Sequence, residues 1–345
     1  MTLMWKEIHE QPEVLRTCLE KNKSTIAEIV RLLDAKGIGS VYIAARGTSD
    51  HAGIYAKYII ELVKGVPVAM AAPSILTMYQ KSLNLKNTLV IGISQSGKAA
   101  DVLEVVKEGN RQGALTVSVT NFPDSPMAQE ANFHLCCEAG LEKSVAATKT
   151  FTSQLMLLAN LAAEWAKDEK MKEDLNKVPQ LVEETLKLGD EIAEKVQRYR
   201  FMNECFMLAR GVNYAIAMEA ALKTQETGYI RAKAYAVSDF HHGPFAMIEK
   251  DMPVFVYAPE GPSLRDMLEI LNKLKERDAE IVVISNNQEV LDMGVTSFRI
   301  PDTDNDVISP FLNVVVAQMF ACQLSLARGL NPDSPRGLNK VTITR

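Results

Sequence analysis

The strongest constraint on the fold of this chain is that its two halves resemble each other at a nearly constant offset. Ala45-Arg46-Gly47 lies opposite Ala209-Arg210-Gly211, and each tripeptide follows an apolar strand pattern and precedes a helical one. The segment from Asp101 to Asn121 aligns without gaps to the segment from Asp266 to Asn286. The offsets are 164 and 165 residues. Chance similarity between two generic strand-helix-strand units is the alternative, but two copies of one α/β unit explain both matches.

Short β-branched runs alternate with long amphipathic segments in both halves of the chain. The runs are VYIAA, TLVIGIS and LTVSVT in the first half, and CFMLA, PVFVYA and EIVVIS in the second. Strands that alternate with helices form parallel sheets covered on both faces. The sequence therefore predicts an α/β protein with two tandem domains, each a parallel-sheet three-layer α/β/α sandwich.

The domain boundary is predicted by a change in composition at residues 166–199. Charge signs alternate there and apolar residues keep a helical spacing, as in a solvated pair of connecting helices. We therefore predict an N-terminal helical segment over 1–34, domains over 35–165 and 200–330, a helical linker over 166–199, and a C-terminal tail over 331–345. A length of 345 residues suits about two domains.

Composition and charge narrow the classes of ligand and compartment. The net charge is −5, and no segment is dense in Lys and Arg, which argues against a nucleic-acid ligand. Five cysteines without metal-binding spacing indicate a reducing compartment. The N-terminus lacks the apolar core of a signal peptide, and the longest apolar stretches, near Leu155 to Ala163 and Val314 to Ala321, are shorter than a membrane span. We expect a cytoplasmic protein without membrane contact.

Two loops of the first half carry candidate ligand contacts, because ligands of open parallel sheets bind outside the carboxyl ends of strands. Ser94-Gln95-Ser96-Gly97 follows one strand and opens a helix, where hydroxyls and backbone N–H groups suit a phosphate or another anion. Gly47-Thr48-Ser49 follows the first strand and offers a second contact. These hydroxyls could instead only cap their helices, and the residues alone leave both interpretations open. A third segment, 144–150, contains Lys149, which either is solvated or faces the ligand.

The second half carries different chemistry. Its loop at 259–263 lacks the paired serines, so we expect one ligand site per chain, built mainly from the first half. Glu219, Lys223 and Glu226 recur at spacings of four and three on one helix face. They form either an exposed salt-bridge stripe or, in a cleft, a carboxylate beside a lysine that could move a proton.

Histidines cluster only at His241-His242, in a loop that ends in Gly and Pro. Two adjacent histidines without a third ligand make a poor zinc site, whereas a neutral imidazole is a natural acid or base. Lys340 lies in a final short segment that alone would be interpreted as a frayed end.

Taken together, the motifs resemble those of the sugar isomerase (SIS) family, and closely those of the isomerase half of the glutamine:fructose-6-phosphate aminotransferases. Seven segments carry the resemblance in the family's order: KEIHEQP from Lys6, GTS from Gly47, SQSG from Ser94, SVAATK from Ser144, EAALKTQE from Glu219, HGP from His242 and PRGLNK from Pro335. They span nearly the whole chain. The resemblance implies two tandem SIS domains, a homodimer, and a hexose 6-phosphate substrate, with no metal or organic cofactor required.

The resemblance also implies roles for individual residues. Substrate and phosphate contacts would come from Gly47, Thr48, Ser49, Ser94, Gln95, Ser96, Val145 and Ala147. Glu226 resembles the base that moves a proton between C1 and C2, with Lys223 beside it. His242 resembles the acid/base that opens the sugar ring, contributed across the dimer interface. Lys340 matches the tail lysine that engages the open-chain carbonyl, so the tail would contribute to the active site.

The chain also departs from the aminotransferase pattern. Lys98 and Ala99 stand where that pattern continues GluThr, and Ala147 and Lys233 replace a Ser and a Glu. The chain begins where the isomerase part would begin, so we expect no ammonia release from glutamine by a glutaminase domain. The leading hypothesis is a glucosamine-6-phosphate deaminase that forms fructose 6-phosphate and ammonia. The alternatives are a deglycase of fructosamine or glucoselysine 6-phosphate and a non-catalytic phosphosugar sensor.

Overall fold

The computed structural model describes residues 1–303 and 305–340, which form two compact units. The N-sheet unit comprises residues 10–142, 149–177 and 339–340. The C-sheet unit comprises residues 1–9, 143–148 and 178–338. Residues 341–345 of the predicted tail lie outside the described residues.

The N-sheet unit follows the predicted alternation of strands and helices. Helix α1 (Leu3–His9) precedes it in the chain and belongs to the C-sheet unit. The N-sheet unit contains α2 (Gln11–Lys36), β1 (Ser40–Ala44), α3 (Thr48–Lys64), β2 (Val68–Met70), α4 (Ser74–Thr77), β3 (Thr88–Ile93), α5 (Ala100–Arg111), β4 (Leu115–Thr120), α6 (Pro126–Glu130), β5 (Phe133–Cys136) and α7 (Lys149–Ala166). Helix α8 (Glu169–Thr185) has residues in both units.

All five strands of the N-sheet unit are parallel, in the order β2-β1-β3-β4-β5. Val41 pairs with Leu89, and Leu89 pairs with Leu115. Every residue of β3 and β4 is buried, as expected of parallel strands with helices on both faces. Val90 packs with Val102 of α5 in one of the cores that cover the sheet.

The C-sheet unit repeats this architecture. It contains α9 (Gly189–Lys195), β6 (Glu204–Ala209), α10 (Tyr214–Gly228), β7 (Arg231–Ala236), α11 (Val237–Phe240), β8 (Pro253–Tyr257), α12 (Leu264–Lys275), β9 (Glu280–Ser285), α13 (Gln288–Leu291), β10 (Thr296–Arg299) and α14 (Ser309–Ala327). Its parallel strands lie in the order β7-β6-β8-β9-β10, which is the order of the first sheet. The predicted fold of two repeated α/β sandwiches is confirmed.

Each sheet has one point at which the strand order reverses direction. In the N-sheet unit this point lies between β1 and β3, so the loops after these two strands border the crevice where ligands of such sheets bind. The equivalent crevice of the C-sheet unit lies between β6 and β8. Gly47 and Gly211 follow the first strand of each crevice with φ angles of 54° and 63°. The repeated AlaArgGly motif therefore reflects a left-handed turn that favours glycine.

Helix α14 is a core helix of the C-sheet unit and packs along α10. Its 19 residues, with a mean hydropathy of 1.5 in the most apolar window, are long and apolar enough to cross a membrane, although 83% of that window is buried inside the fold. The helix is longer than the apolar stretch that the sequence marks near Val314 to Ala321.

Candidate functional site

The Ser94-Gln95-Ser96-Gly97 loop connects β3 to α5 and is fixed by backbone hydrogen bonds. The Ser94 N–H donates to the Val119 carbonyl at 3.1 Å, and the Asn121 N–H donates to the Gln95 carbonyl at 3.0 Å. Helix α5 begins only at Ala100, and its N-cap residue is Ala99, without a side-chain cap. The interpretation of Ser94 or Ser96 as a helix cap is therefore wrong.

The polar side chains of this loop remain available to a ligand. Within residues 1–303 and 305–340, the Ser94 hydroxyl and the Gln95 amide have no hydrogen-bond partner, and Ser96 Oγ accepts only from the Lys98 N–H at 3.3 Å. Gly97 has a φ of 64°, and a Cβ at this position would clash with the Oγ of Ser125. Only glycine fits there, so the loop keeps the sharp turn that presents these groups.

The Gly47-Thr48-Ser49 loop lies on the other side of the same crevice. Helix α3 begins at Thr48, and Gly47 is its N-cap residue, without a side-chain cap. The alternative in which the Ser49 hydroxyl only caps the helix is therefore wrong. Ser49 is buried in the first helical turn, where backbone N–H groups lack intrahelical acceptors and attract anions. Its Oγ accepts a hydrogen bond from Nε2 of Gln154 at 3.1 Å.

An ion pair joins the two sides of this crevice. The Arg46 guanidinium, which follows β1, lies 2.7 Å from Oδ2 of Asp101 in the first turn of α5. The equivalent residues of the C-sheet unit, Arg210 and Asp266, form the same pair at 3.2 Å. The Arg and Asp of the aligned sequence segments are thus partners in both repeats.

Two lysines of the N-sheet unit form ion pairs with glutamates. Lys340 Nζ lies 2.6 Å from Oε2 of the fully buried Glu142, which also accepts from the backbone and hydroxyl of Thr150. Lys149 is buried and lies 2.6 Å from a carboxylate oxygen of Glu10. The interpretation of Lys149 as a solvated side chain is therefore wrong.

Val145 and Ala147 lie on a segment of the C-sheet unit that is held by a buried carboxylate. Glu7 accepts from the backbone N–H of Lys143 at 2.5 Å, from that of Ser144 at 3.2 Å and from the Ser144 hydroxyl. Val145 and Ala147 are half-buried, whereas the residues that alternate with them are buried. The segment therefore presents the two predicted contact residues on its accessible side.

Helix α10 carries a buried acid-base cluster. Lys223 Nζ lies 2.5 Å from Oε2 of Glu226 and 3.3 Å from Oε1 of Glu219. Lys223 and Glu219 are fully buried, and the side chain of Glu226 is 21% exposed. Burial lowers the pKa of Lys223, but the two carboxylates outweigh it and raise that pKa above its ordinary value. The alternative of an exposed salt-bridge stripe is wrong, and Glu226 is the accessible member of the cluster.

The C-terminal end of α10 is fastened to the start of the PRGLNK motif. Tyr229 ends the helix in the left-handed region, with a φ of 55°. The Arg336 guanidinium stacks 4.2 Å from the centre of the Tyr229 ring. The backbone N–H of Arg336 donates to the Tyr229 hydroxyl at 2.7 Å. At Arg336 the tail is anchored, so the interpretation of this motif as a frayed end is wrong.

His242 lies on an exposed turn after α11. Its N–H donates to the Asp239 carbonyl at 3.0 Å, and in the described part of the chain its ring has no hydrogen-bond partner. The turn closes through Gly243, whose φ is 129°. The imidazole is therefore accessible, and its contribution across a dimer interface stays a prediction.

The crevice of the C-sheet unit carries different side chains from that of the N-sheet unit. Asn213 occupies the position of Ser49, and its amide donates to Asp306 at 3.4 Å and to Ser309 at 2.8 Å. Burial raises the pKa of the half-buried Asp306, and the hydrogen bond from Ser309 opposes this rise. A carboxylate at this place disfavours a phosphate, which fits one ligand site per chain. In the described residues no group of three or more His, Cys, Asp or Glu could hold a metal ion.

The structure thus brings predicted site residues together within each unit. Gly47, Thr48, Ser49 and the Ser94 to Ser96 loop border one crevice, and Lys223 and Glu226 share one helix face. Sequence reasoning missed three residues that hold the site in place: Glu7, Glu142 and Gln154. The signal for Gln154 was its polarity within the apolar run of α7.

Two repeated parallel-sheet units, one with open hydroxyl-bearing loops at its strand reversal, define an α/β protein of the sugar isomerase class. The chain belongs to the SIS domain family, whose model matches residues 35–163 and 202–328.

Similar proteins support this membership. The chain is 36% identical over 344 residues to glutamine--fructose-6-phosphate aminotransferase [isomerizing] of Aquifex aeolicus, a match that covers 99% of this chain and 57% of the relative. The chain therefore spans just over half the length of the curated relatives it matches.

Solved structures show the same fold along nearly the whole chain. The C-terminal domain of glucosamine-fructose-6-phosphate aminotransferase from Francisella tularensis is 30% identical, with a TM-score of 0.87 and coverage of 97% of this chain and 98% of that one. Glucosamine-6-phosphate deaminase from Thermotoga maritima has a TM-score of 0.79 at 23% identity and coverage of 99% and 100%, which shows a common fold.

Proposed function

We propose that this chain is an aldose-ketose isomerase of amino-sugar 6-phosphates that converts glucosamine 6-phosphate and water into fructose 6-phosphate and ammonia. The observation that carries the proposal is the pair of Lys223 and Glu226, an ammonium fixed 2.5 Å from a partly accessible carboxylate. Moving a proton between adjacent carbons needs one such carboxylate, held in place by its neighbours. Membership in the SIS family and the name of the Aquifex aeolicus relative support the substrate class.

The phosphate of the substrate would bind at the crevice of the N-sheet unit. The hydroxyls of Ser94 and Ser96 and the Gln95 amide lack competing side-chain partners among the described residues, and Ser49 lies in the first turn of α3. Hydroxyl donors and helix N-termini are favourable partners for phosphate oxygens. Gly47 and Thr48 shape the same turn, and Val145 and Ala147 would contact the sugar.

The reaction proceeds from an open-chain sugar. His242 would act as the acid/base that opens the ring, and Lys340 would engage the open-chain carbonyl. The Glu226 carboxylate takes the proton from C2 of the open-chain aminoaldehyde and returns it to C1. The amine loses one N–H proton and the carbonyl oxygen gains one, so the product is an imine at C2 beside a hydroxyl at C1. Water adds to this imine and ammonia leaves, so that one water is consumed for each ammonia formed. The Lys223 ammonium, 2.5 Å from the Glu226 carboxylate, holds that carboxylate in position.

We further propose that the protein is a cytoplasmic homodimer in which His242 serves the partner's substrate. The exposure of His242, and the absence of a ring hydrogen bond in the described part of the chain, support a role for this side chain outside its own unit.

The test is the release of ammonia and fructose 6-phosphate from glucosamine 6-phosphate by the purified chain. Glu226→Gln should abolish turnover and leave phosphosugar affinity unchanged, because it removes the proton acceptor and almost no volume. Glu194→Gln, a change at an exposed glutamate of α9, is the matched control and should leave turnover intact. Turnover that survives Glu226→Gln would refute the assignment of the base.

A deglycase is the second candidate, favoured by one specific difference at the site. Ala147, half-buried beside Val145, offers no hydroxyl where the aminotransferase pattern has a serine. A smaller, less polar contact suits a bulkier leaving amine. Release of lysine from fructose-lysine 6-phosphate, without ammonia from glucosamine 6-phosphate, would establish this activity. Binding of both compounds without turnover would instead indicate a sensor.

A further inference from the structure

We infer that Gln154 is a positioning residue that orients the Ser49 hydroxyl as a donor to the phosphate of the substrate, an inference that rests on the proposed function. None of the seven motif segments includes Gln154. It lies on α7, whereas Ser49 lies on α3, and both residues belong to the N-sheet unit.

Among the described residues, the Gln154 side chain makes one hydrogen bond, in which its amide nitrogen is the donor. Gln154 is 1% exposed, and its Nε2 donates to Ser49 Oγ at 3.1 Å. Its Oε1 is buried and has no hydrogen-bond partner among residues 1–303 and 305–340. A buried acceptor without a partner costs stability, and an apolar side chain of similar size would avoid that cost. The donor side of the amide therefore accounts for a glutamine at this position.

The hydrogen bond decides the direction in which Ser49 donates. A serine hydroxyl has one O–H donor and two acceptor lone pairs. When Ser49 Oγ accepts from Gln154, the Ser49 hydroxyl proton points away from Gln154. Ser49 lies at the crevice, where the first turn of α3 presents its backbone N–H groups. A phosphate dianion has no O–H group, so it accepts hydrogen bonds and donates none. A hydroxyl that is fixed as a donor toward the crevice therefore suits it.

The C-sheet unit contains a similar hydrogen bond, in which a side-chain amide donates to the residue at the Ser49 position. Asn313 of α14 donates from Nδ2 to Oδ1 of Asn213 at 2.7 Å, and Asn213 occupies the position of Ser49. The Oδ1 of Asn313 is likewise buried without a partner in the described residues. In that unit, however, the donors of Asn213 are used by Asp306 and Ser309. Only in the N-sheet unit does the oriented group remain available to a ligand.

The experiment is a double-mutant cycle on phosphosugar binding by the full chain. Gln154→Met keeps the volume and removes the donor, and Ser49→Ala removes the hydroxyl. Affinities for fructose 6-phosphate and inorganic phosphate are measured for the four proteins by calorimetry, with thermal unfolding of each in parallel. Asn313→Leu is the matched control, because it removes the amide that donates to Asn213, the residue at the Ser49 position of the C-sheet unit.

We expect Gln154→Met to weaken both ligands about fivefold to twentyfold, the loss typical of one oriented hydrogen bond to a charged group. The unfolding temperature should stay equal or rise, since the unpartnered oxygen is removed. In the Ser49→Ala background the same change should have no further effect, because its target is already absent. Gln154→Glu should weaken binding more than Gln154→Met, because a carboxylate accepts the Ser49 proton and repels the phosphate. Asn313→Leu should leave both affinities unchanged.

The result that overturns the inference is a Gln154→Met protein with wild-type affinities, or one whose loss persists fully in the Ser49→Ala background. Either result would limit Gln154 to a packing role while Ser49 keeps its own. A wild-type chain that binds neither fructose 6-phosphate nor inorganic phosphate would instead overturn the proposed function itself.

Discussion

The Arg46 guanidinium lies 2.7 Å from the carboxylate of Asp101, and through this bond the loop after β1 is tied to the first turn of α5. The same bond recurs between Arg210 and Asp266 in the second repeat. The two pairs differ in burial, since Asp101 is buried and the Asp266 side chain is 54% exposed. The repeat thus supplies its own comparison between a partly buried and an exposed ion pair.

This difference predicts unequal effects of removing the two arginines. Arg46→Met leaves the buried Asp101 without its guanidinium and should lower the free energy of unfolding by about 1 to 3 kcal/mol, less than for a fully buried pair because Arg46 is half-exposed. Arg210→Met should cost less than about 1 kcal/mol. Urea unfolding measures both values, and equal losses would contradict the role assigned to burial.

The cluster on α10 should respond strongly to loss of its cation. Lys223→Met takes the ammonium from the fully buried Glu219, which should destabilise the fold by roughly 3 to 5 kcal/mol. Adding Glu219→Gln should restore a large part of this loss, because the uncompensated carboxylate is then neutral. Chemical denaturation of the single and double variants tests this, and a double variant no more stable than Lys223→Met would refute it.

The open hydroxyls of the loop after β3 should contribute to affinity. Ser96→Ala should weaken fructose 6-phosphate binding roughly tenfold, as expected when one hydrogen bond to a charged group is lost. Ser24→Ala, at an exposed position of α2, provides the control. Unchanged affinity in Ser96→Ala would remove this hydroxyl from the site.

The raised pKa of Asp306 predicts a pH-dependent effect on stability. Because burial raises that pKa above 3.8, the Asp306 carboxyl binds its proton more tightly in the folded state than in the unfolded state. The stability that Asp306 contributes is present below its unfolded pKa and is lost as the pH rises through the folded pKa. Asp306→Asn should therefore stabilise the protein at pH 7 more than at pH 4. Unfolding free energies at both pH values check this, and a benefit that is larger at pH 4 would contradict it.

Much of the fold was predictable because it depends on local patterns. The β-branched runs of β3 and β4 are buried on both faces, so they lack polar alternation and are easily recognised. The repeated AlaArgGly motif reflects a turn that needs a positive φ at Gly47 and Gly211. These requirements act within a few residues, and a single sequence displays them.

The remaining features depend on contacts between residues far apart in sequence. Glu7 and Ser144 are 137 residues apart, and Gln154 and Ser49 are 105 apart. Helical spacing placed Glu219, Lys223 and Glu226 on one face but could not show that this face is buried. Periodicity alone does not reveal which surface a helix packs against.

The C-sheet unit combines residues 1–9 with residues 178–338, and this has a consequence for its synthesis. The backbone N–H groups of Leu3 and Met4 each donate to the Asp333 carboxylate at 2.8 Å, across more than 320 residues of chain. Asp333 is therefore translated 330 residues after Leu3. Leu3 and Met4 lack this native contact until Asp333 has been made, so α1 is exposed to chaperones and proteases while this part of the chain grows.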